Sequence, residues 1–146
     1  MYDSILVPTD GSDHAEAAVD EALDLAAETG ATLHVLYVLD VRELSTLPEE
    51  QWLSVEEALD DVGDRAVGRV EERAEEVGVS VTTAVEPGIP SETIVDYAGD
   101  NDVDLVVMST HGRTGLSHLL LGSVAEKVVR RSPVPVLVVR PEAEEE

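Results

Sequence analysis

SILVPTDGSDHAEAAVDEALDLAAETGATLHVLYVLD, residues 4 to 40, predicts a strand, a helix and a second strand in succession. Residues 4–8 are a short apolar run that ends at Pro8 and a turn cluster, as expected of a buried strand. From residue 12 to 28 alanine, valine and leucine recur at three- and four-residue steps, which predicts a helix packed on a sheet. Asp13 with Glu16 offers this helix a capping box, and Gly30 ends it before a β-rich run at 31–40.

The rest of the chain continues this alternation. Residues 41–51 lack a clear period and predict a loop, and strands are predicted at 79–85, 103–109 and 134–140, with helices at 55–77, 91–99 and 122–131. The long helix has an apolar face made of Val55, Leu59, Val62, Ala66, Val70, Ala74 and Val77. The pattern predicts an α/β fold: a doubly wound, Rossmann-like, five-stranded parallel sheet with helices on both faces. We expect a single domain over residues 1–141, followed by an acidic tail at 142–146.

The composition is strongly acidic. Among 146 residues, 32 are Asp or Glu and 9 are Lys or Arg, so the formal net charge is −23. Such a surface repels nucleic acid and anionic membranes, and we expect no binding to either. Because the chain has no cysteine, disulfides and thiolate metal sites are excluded. The N-terminal residues show no signal-peptide pattern and no apolar run reaches about 18 residues, which predicts a cytoplasmic protein. The excess of Asp and Glu resembles proteins of salt-accumulating halophiles.

Positive charge is concentrated near the end of the chain. Residues 105–141 include five basic residues and one acidic residue. Cations favour helix C-termini, which would explain Lys127, Arg130 and Arg131. Arg113 has no such explanation, so an anion site near it remains an open alternative.

A glycine-containing loop, MSTHGRTGLSHLLLGS at 108–123, leads into the last predicted helix. In doubly wound sheets, ligands bind beyond the carboxyl ends of the strands, where the strand order reverses. The segments after the first, second and fourth predicted strands are therefore the candidates. Gly122-Ser123 would open the helix as an anion site, although a capping box between Ser123 and Glu126 explains the same residues. The spacing matches neither a P-loop nor the dinucleotide-binding fingerprint.

From Ile5 to Arg140 the chain resembles the universal stress proteins of the UspA family. The ATP-binding branch of that family carries a glycine, two residues, a second glycine, nine residues, and then Gly-Ser or Gly-Thr. Here Ser109 takes the place of the first glycine, and Gly112 and Gly122-Ser123 match the rest. If that position requires a positive φ, serine costs about 1 kcal/mol; otherwise its hydroxyl adds a hydrogen-bond donor.

The resemblance implies an ATP site, with Mg²⁺ as a possible companion of the nucleotide. Pro8, Thr9 and Asp10 would lie beside the ribose and phosphates, and Val38 would contact the adenine. The triphosphate would be lined by Met108, Ser109, Gly112, Arg113, Gly122, Ser123 and Val124. Asp10 would hold a ribose hydroxyl or a water-bound Mg²⁺, with a structural role at the helix start as the alternative. His111 and His118 are predicted to be polar loop residues rather than catalytic bases.

The last predicted strand is too apolar for an exposed sheet edge. The resemblance implies that it pairs with its copy in a homodimer through Val134, Val136 and Val138. The predicted function is that of an ATP-binding homodimer in stress regulation. Two alternatives remain: a slow ATPase at the same site, which lacks an evident carboxylate pair or nucleophile–base pair, and a dimeric interaction module that binds no nucleotide.

Overall fold

The computed structural model describes residues 2–110 and 121–141. These residues form the elements β1 (Ser4–Pro8), α1 (Asp13–Thr29), β2 (Thr32–Asp40), a 3₁₀ turn (Val41–Glu43), α2 (Glu49–Glu76), β3 (Val81–Gly88), α3 (Pro90–Asp100), β4 (Leu105–Ser109), α4 (Ser123–Arg131) and β5 (Val136–Val139). The predicted order of strands and helices is confirmed.

The five strands form one parallel sheet in the order β3-β2-β1-β4-β5. Ile5 of β1 pairs with Leu33 of β2 on one side and with Leu105 of β4 on the other. Helices α1 and α2 pack on one face of the sheet, and α3 and α4 pack on the opposite face. The prediction of a doubly wound α/β sheet with helices on both faces is therefore confirmed.

Strand β1 is the central strand of the sheet, and this position explains why its sequence is continuously apolar. Ile5, Leu6 and Val7 are all fully buried. Ile5 and Val7 pack with α1 and α2, whereas Leu6 packs with α3 and α4. Because both faces are covered, neither set of side chains can be polar. Burial of each such side chain is worth about 1.5–3 kcal/mol.

Helix α2 begins earlier than predicted, at Glu49 rather than near residue 55. The predicted loop at 41–51 therefore contains the 3₁₀ turn and the first residues of this helix. Its predicted apolar face is partly wrong, since Val62 and Val77 are exposed and Val67 is buried instead. The buried residues of α2 lie between Gly63 and Ala74, so Val62 and Val77 fall on either side of the covered part of the helix.

Helix α1 starts with a different cap from the predicted one. Ser12, rather than Asp13, is the N-cap, and its hydroxyl accepts a hydrogen bond from the backbone N–H of Ala15. Glu16 instead accepts a hydrogen bond from Arg73 of α2. The capping box fails because Asp13 already has helical geometry, and the N-cap must lie just outside the helix.

Asp104 ties the start of β1 to the start of β4. Its Oδ2 accepts hydrogen bonds from the backbone N–H groups of Asp3 and Ser4, at 2.8 and 3.0 Å. These bonds favour the ionised carboxylate and lower the pKa of Asp104.

We expect the ionised Asp104 carboxylate to contribute to the free energy of unfolding, and this contribution to be lost at low pH. A lowered folded-state pKa gives stabilisation that is fully present above the unfolded value of about 3.9 and is lost as pH falls through the folded value. The Asp104→Asn variant should therefore lose less stability than wild type between about pH 5 and pH 2. Denaturant midpoints measured across this range test this, and parallel curves for the two proteins would contradict it.

Within the part of the chain that the structure describes, no helix has the length and apolar character needed to cross a membrane.

Candidate functional site

A cleft of about 400 Å³ opens at the carboxyl ends of the strands. It lies where the strand order reverses, between the paired strands β1 and β4, as expected for ligand sites in doubly wound sheets. Its volume is within the range of small-molecule sites. The described lining residues are Pro8, Thr9, Asp10, Ala15, Val38, Asp40, Arg42, Glu43, Pro90, Ile94, Met108, Ser109, Thr110, Gly122, Ser123, Val124 and Ala125.

The loop between β1 and α1 is held by its own side chains. Thr9 is buried, and its Oγ1 accepts a hydrogen bond from the N–H of Gly11 at 3.1 Å. Asp10 Oδ1 accepts one from the N–H of Ser12 at 2.9 Å. Gly11 has a φ of +79°, which glycine adopts at little cost. The loop therefore forms one wall of the cleft in a defined conformation, and Asp10 does have a structural role before the helix.

The opposite wall is the start of α4. Its position is set by a backbone hydrogen bond from the N–H of Gly122 to the carbonyl of Thr110, at 2.8 Å. Thr110 is in turn tied to β5, because its N–H donates to the carbonyl of Val139 at 3.0 Å. The first residue of α4 therefore lies beside the carboxyl end of β4.

The predicted capping box in α4 is wrong. Gly122 is the N-cap and Ser123 is the first helical residue, so the N-cap residue has no side chain with which to cap the helix. The N–H of Glu126 donates to the carbonyl of Gly122 at 2.9 Å, and the carboxylate of Glu126 accepts from Arg130. This one-residue shift takes the Ser123 hydroxyl out of the capping position. Because the N-cap is a glycine, no side chain of the N-cap residue occupies the N–H groups of the first turn where the helix meets the cleft.

Ser109, which takes the place of a family glycine, is the last residue of β4. Among the described residues, Asp102 is the non-glycine residue with positive φ, so Ser109 does not occupy the left-handed region. The steric cost of about 1 kcal/mol considered for serine therefore does not apply here. Serine is compatible with the backbone at this position.

The cleft lining contains an ion pair between Arg42 and Asp40 that was not predicted from the sequence. Arg42 donates from Nε to Asp40 Oδ1 at 2.9 Å and from Nη2 to Oδ2 at 2.8 Å. The backbone N–H of Arg42 also donates to Asp40 Oδ1 at 3.0 Å. These hydrogen bonds to the carboxylate raise the pKa of Arg42. An arginine just after the carboxyl end of a predicted strand was the signal available in the sequence.

The described lining carries more negative than positive charge. It includes the carboxylates of Asp10, Asp40 and Glu43, with Arg42 as its cation. Among residues 2–110 and 121–141, no group of three His, Cys, Asp or Glu side chains is arranged to hold a metal ion. These carboxylates disfavour an anionic ligand near them, whereas the N-terminus of α4 favours negative charge.

The cleft brings together most of the residues named from the sequence. Those found in its lining are Pro8, Thr9, Asp10, Val38, Met108, Ser109, Gly122, Ser123 and Val124. Gly112 and Arg113, together with His111 and His118, lie outside the described residues, as does the tail at 142–146. The floor supplied by α3, Pro90 and Ile94, was not predicted, since apolar helix residues carry no signal of a ligand site.

Comparison with known proteins identifies a family. The model of the Universal stress protein family matches residues 1–140. Universal stress protein MJ0531 of Methanocaldococcus jannaschii is 42% identical over 141 residues, which cover 96% of this chain and 83% of that protein. The solved structure of MJ0577, from the same organism, has 35% identity and a TM-score of 0.89, with 99% of each chain covered. A universal stress protein solved in complex with cAMP has 27% identity and a TM-score of 0.72, covering 97% of this chain and 98% of its own.

Proposed function

Because this chain belongs to the universal stress protein family, we propose that it binds ATP in the cleft between β1 and β4 and acts as an ATP-binding homodimer in the stress response. The observation that carries the proposal is the cleft itself, where nine of the residues expected at an ATP site meet at the carboxyl edge of the sheet. The family member solved with cAMP supports an adenine nucleotide as the ligand class.

The start of α4 fits the phosphates. The N–H groups of Ser123, Val124 and Ala125 lie in the first turn, and Gly122 provides no side-chain cap. A helix N-terminus carries a partial positive charge of roughly half an elementary charge, which favours phosphate oxygens. Arg113, whose position lies outside the described residues, would add a full positive charge. The phosphates would therefore lie over α4 and away from Asp40 and Glu43.

The sugar and base would occupy the other side of the cleft. Val38, at the carboxyl end of β2, offers an apolar contact for the adenine, and Ile94 closes the floor beneath. Asp10 uses Oδ1 to hold Ser12, which leaves its second carboxylate oxygen outside that bond. This oxygen would accept a hydrogen bond from a ribose hydroxyl or from a water bound to Mg²⁺.

Calorimetric titration of the nucleotide-stripped protein with ATP tests the proposal. Salt near 1 M KCl reduces the Debye length to about 3 Å and limits repulsion between the acidic surface and the nucleotide. With Mg²⁺ present, we expect saturable binding at one ATP per chain. Absence of heat and of any ATP-dependent rise in the unfolding temperature would contradict the proposal.

Strand β5 supports the homodimer. It is an edge strand of the sheet, and Leu137 is exposed on it. Its pairing with β4 uses the carbonyls of Pro135 and Val139, so the alternating backbone groups of Val136 and Val138 point to the open edge. A second copy would satisfy these groups by strand pairing.

We expect sedimentation at about 1 M KCl to give twice the mass of the 15.6 kDa chain. The Leu137→Asp variant should shift the equilibrium towards the single-chain mass, because it places two like charges at the joined edges. A wild-type protein that sediments only as one chain would refute the homodimer.

A further inference from the structure

Helix α2 is longer than the sheet that it covers. Its 28 residues span about 42 Å at 1.5 Å per residue, whereas the eight residues of β3 span about 26 Å. The buried residues of α2 begin only at Gly63. The first half of the helix, residues 49–62, therefore contains no fully buried side chain. We call this half the α2 overhang.

An apolar ridge nevertheless continues along the overhang. Trp52, Val55, Leu59 and Val62 follow one another at steps of three, four and three residues, in phase with the buried Ala66. Trp52 is 41% exposed and Val62 is 42% exposed, whereas Val55 and Leu59 between them are half-buried. Solvated helix surfaces are normally polar, so the exposed apolar side chains Trp52 and Val62 on this ridge indicate a second surface to be covered.

The tryptophan on this ridge is held in place. Its indole Nε1–H donates to the backbone carbonyl of Leu47 at 2.9 Å. The ring is therefore oriented before any partner binds, which reduces the entropy lost on binding. Tryptophan is, with tyrosine and arginine, one of the residues enriched among those that dominate the energy of protein interfaces.

Charge around the ridge selects the partner. Residues 49–64 contain seven carboxylates and no lysine or arginine. Leu53, which is 66% exposed, lies among four of them at helical spacing, Glu49, Glu50, Glu56 and Glu57. A second copy of this surface would bring like charges together, which disfavours self-association through it. A basic surface would be attracted.

We propose that the α2 overhang is a docking surface for a basic amphipathic helix of another protein, with Trp52 as the central apolar contact. The partner would lay leucine-like side chains along the ridge and lysine or arginine along the carboxylates. The surface is separate from the edge strand β5, because α2 packs on β2 and β3, and β3 forms the opposite edge of the sheet. The proposal does not depend on nucleotide binding.

Trp52 is the only tryptophan in the chain, so its fluorescence reports on this surface alone. The probe is a peptide of lysine and leucine with leucine at helical spacing. Its controls are a scrambled peptide of the same composition and a peptide with glutamate in place of lysine. We expect a saturable blue shift with the first peptide only, and affinity at least about tenfold weaker at 1 M than at 0.1 M salt. No shift, or equal shifts with the scrambled peptide, would overturn the proposal.

Two matched variants locate the binding on the ridge. Val62→Ser alters an exposed valine of the ridge, and Val77→Ser alters an exposed valine at the other end of the same helix. Because serine and valine have similar helix propensities, both variants should fold. We expect Val62→Ser to weaken peptide binding by about tenfold and Val77→Ser to leave it unchanged. Equal affinities would overturn the proposal, as would sedimentation showing that Val62→Ser dissociates a wild-type self-association, which would make a second copy the occupant.

Discussion

The Gly63→Ala variant is expected to unfold more easily than wild type, by up to about 2 kcal/mol, although alanine is the better helix former. A Cβ atom at position 63 would lie 2.6 Å from Cδ1 of Tyr37 and 3.1 Å from Cε1. The Tyr37 side chain is only 1% exposed, so its ring has little room to move away. Overpacking costs about 1–3 kcal/mol, and a 2.6 Å contact with a buried ring belongs in the upper part of this range, above the roughly 1 kcal/mol gained in helix propensity.

Gly68 provides the matched control in the same helix. A Cβ atom there meets nothing within 4 Å. Gly68→Ala should therefore raise the free energy of unfolding by up to about 1 kcal/mol through helix propensity alone. Chemical denaturation of both variants measures the two effects, which have opposite signs. If both substitutions stabilise the protein, α2 and β2 are not packed as closely as the Gly63–Tyr37 contact requires.

The Ser123→Glu variant should lose ATP affinity while keeping or gaining stability. Position 123 is the first residue of α4 and lines the cleft at the proposed phosphate site. A carboxylate there interacts favourably with the helix dipole, by about 0.3–1 kcal/mol. The same carboxylate would repel the phosphates over a few ångströms, where like charges cost about 4 kcal/mol at an effective dielectric constant of 20. We therefore expect at least about a hundredfold weaker ATP binding, equivalent to about 2.7 kcal/mol.

Gln51→Glu separates this local effect from a general increase in negative charge. It adds the same charge near the start of α2, and residue 51 does not line the cleft. Calorimetry of the two variants should show near wild-type ATP affinity for Gln51→Glu and little or no heat for Ser123→Glu. Unchanged affinity in Ser123→Glu would place the phosphates elsewhere. Equal losses in both variants would mean that overall charge, rather than the start of α4, controls binding.

The strands were predictable because burial on both faces leaves a plain apolar signature. Ile5, Leu6 and Val7 illustrate this, since each is fully buried and none can be polar. Helix starts were less predictable. Capping depends on which residue lies just outside the helix, and a shift of one residue changes the cap from Asp13 to Ser12 and from Ser123 to Gly122.

The lining of the cleft was predictable where its residues follow strand ends. Thr9, Val38 and Met108 lie at or just after the carboxyl ends of neighbouring strands, and parallel strands bring such ends to one edge. The pair of Arg42 and Asp40 could not be predicted in the same way, because the 3₁₀ turn that joins them has no hydrophobic period. The position of Ile94 in the cleft lining was not predictable either, because a buried apolar residue on a helix is normally assigned to the core.

The central position of β1 has a consequence for synthesis of the chain on the ribosome. One edge of β1 pairs with β2, which is complete once residue 40 has been made. The other edge pairs with β4, where Leu6 lies opposite Val106, so this pairing requires residue 106 to have been made. At typical translation rates the 66 residues from 41 to 106 take roughly 3–13 s to synthesise. During that interval the edge of β1 that later pairs with β4 has no partner from its own chain. The nascent chain is therefore open to misassociation along this edge from the completion of β2 until β4 has been made.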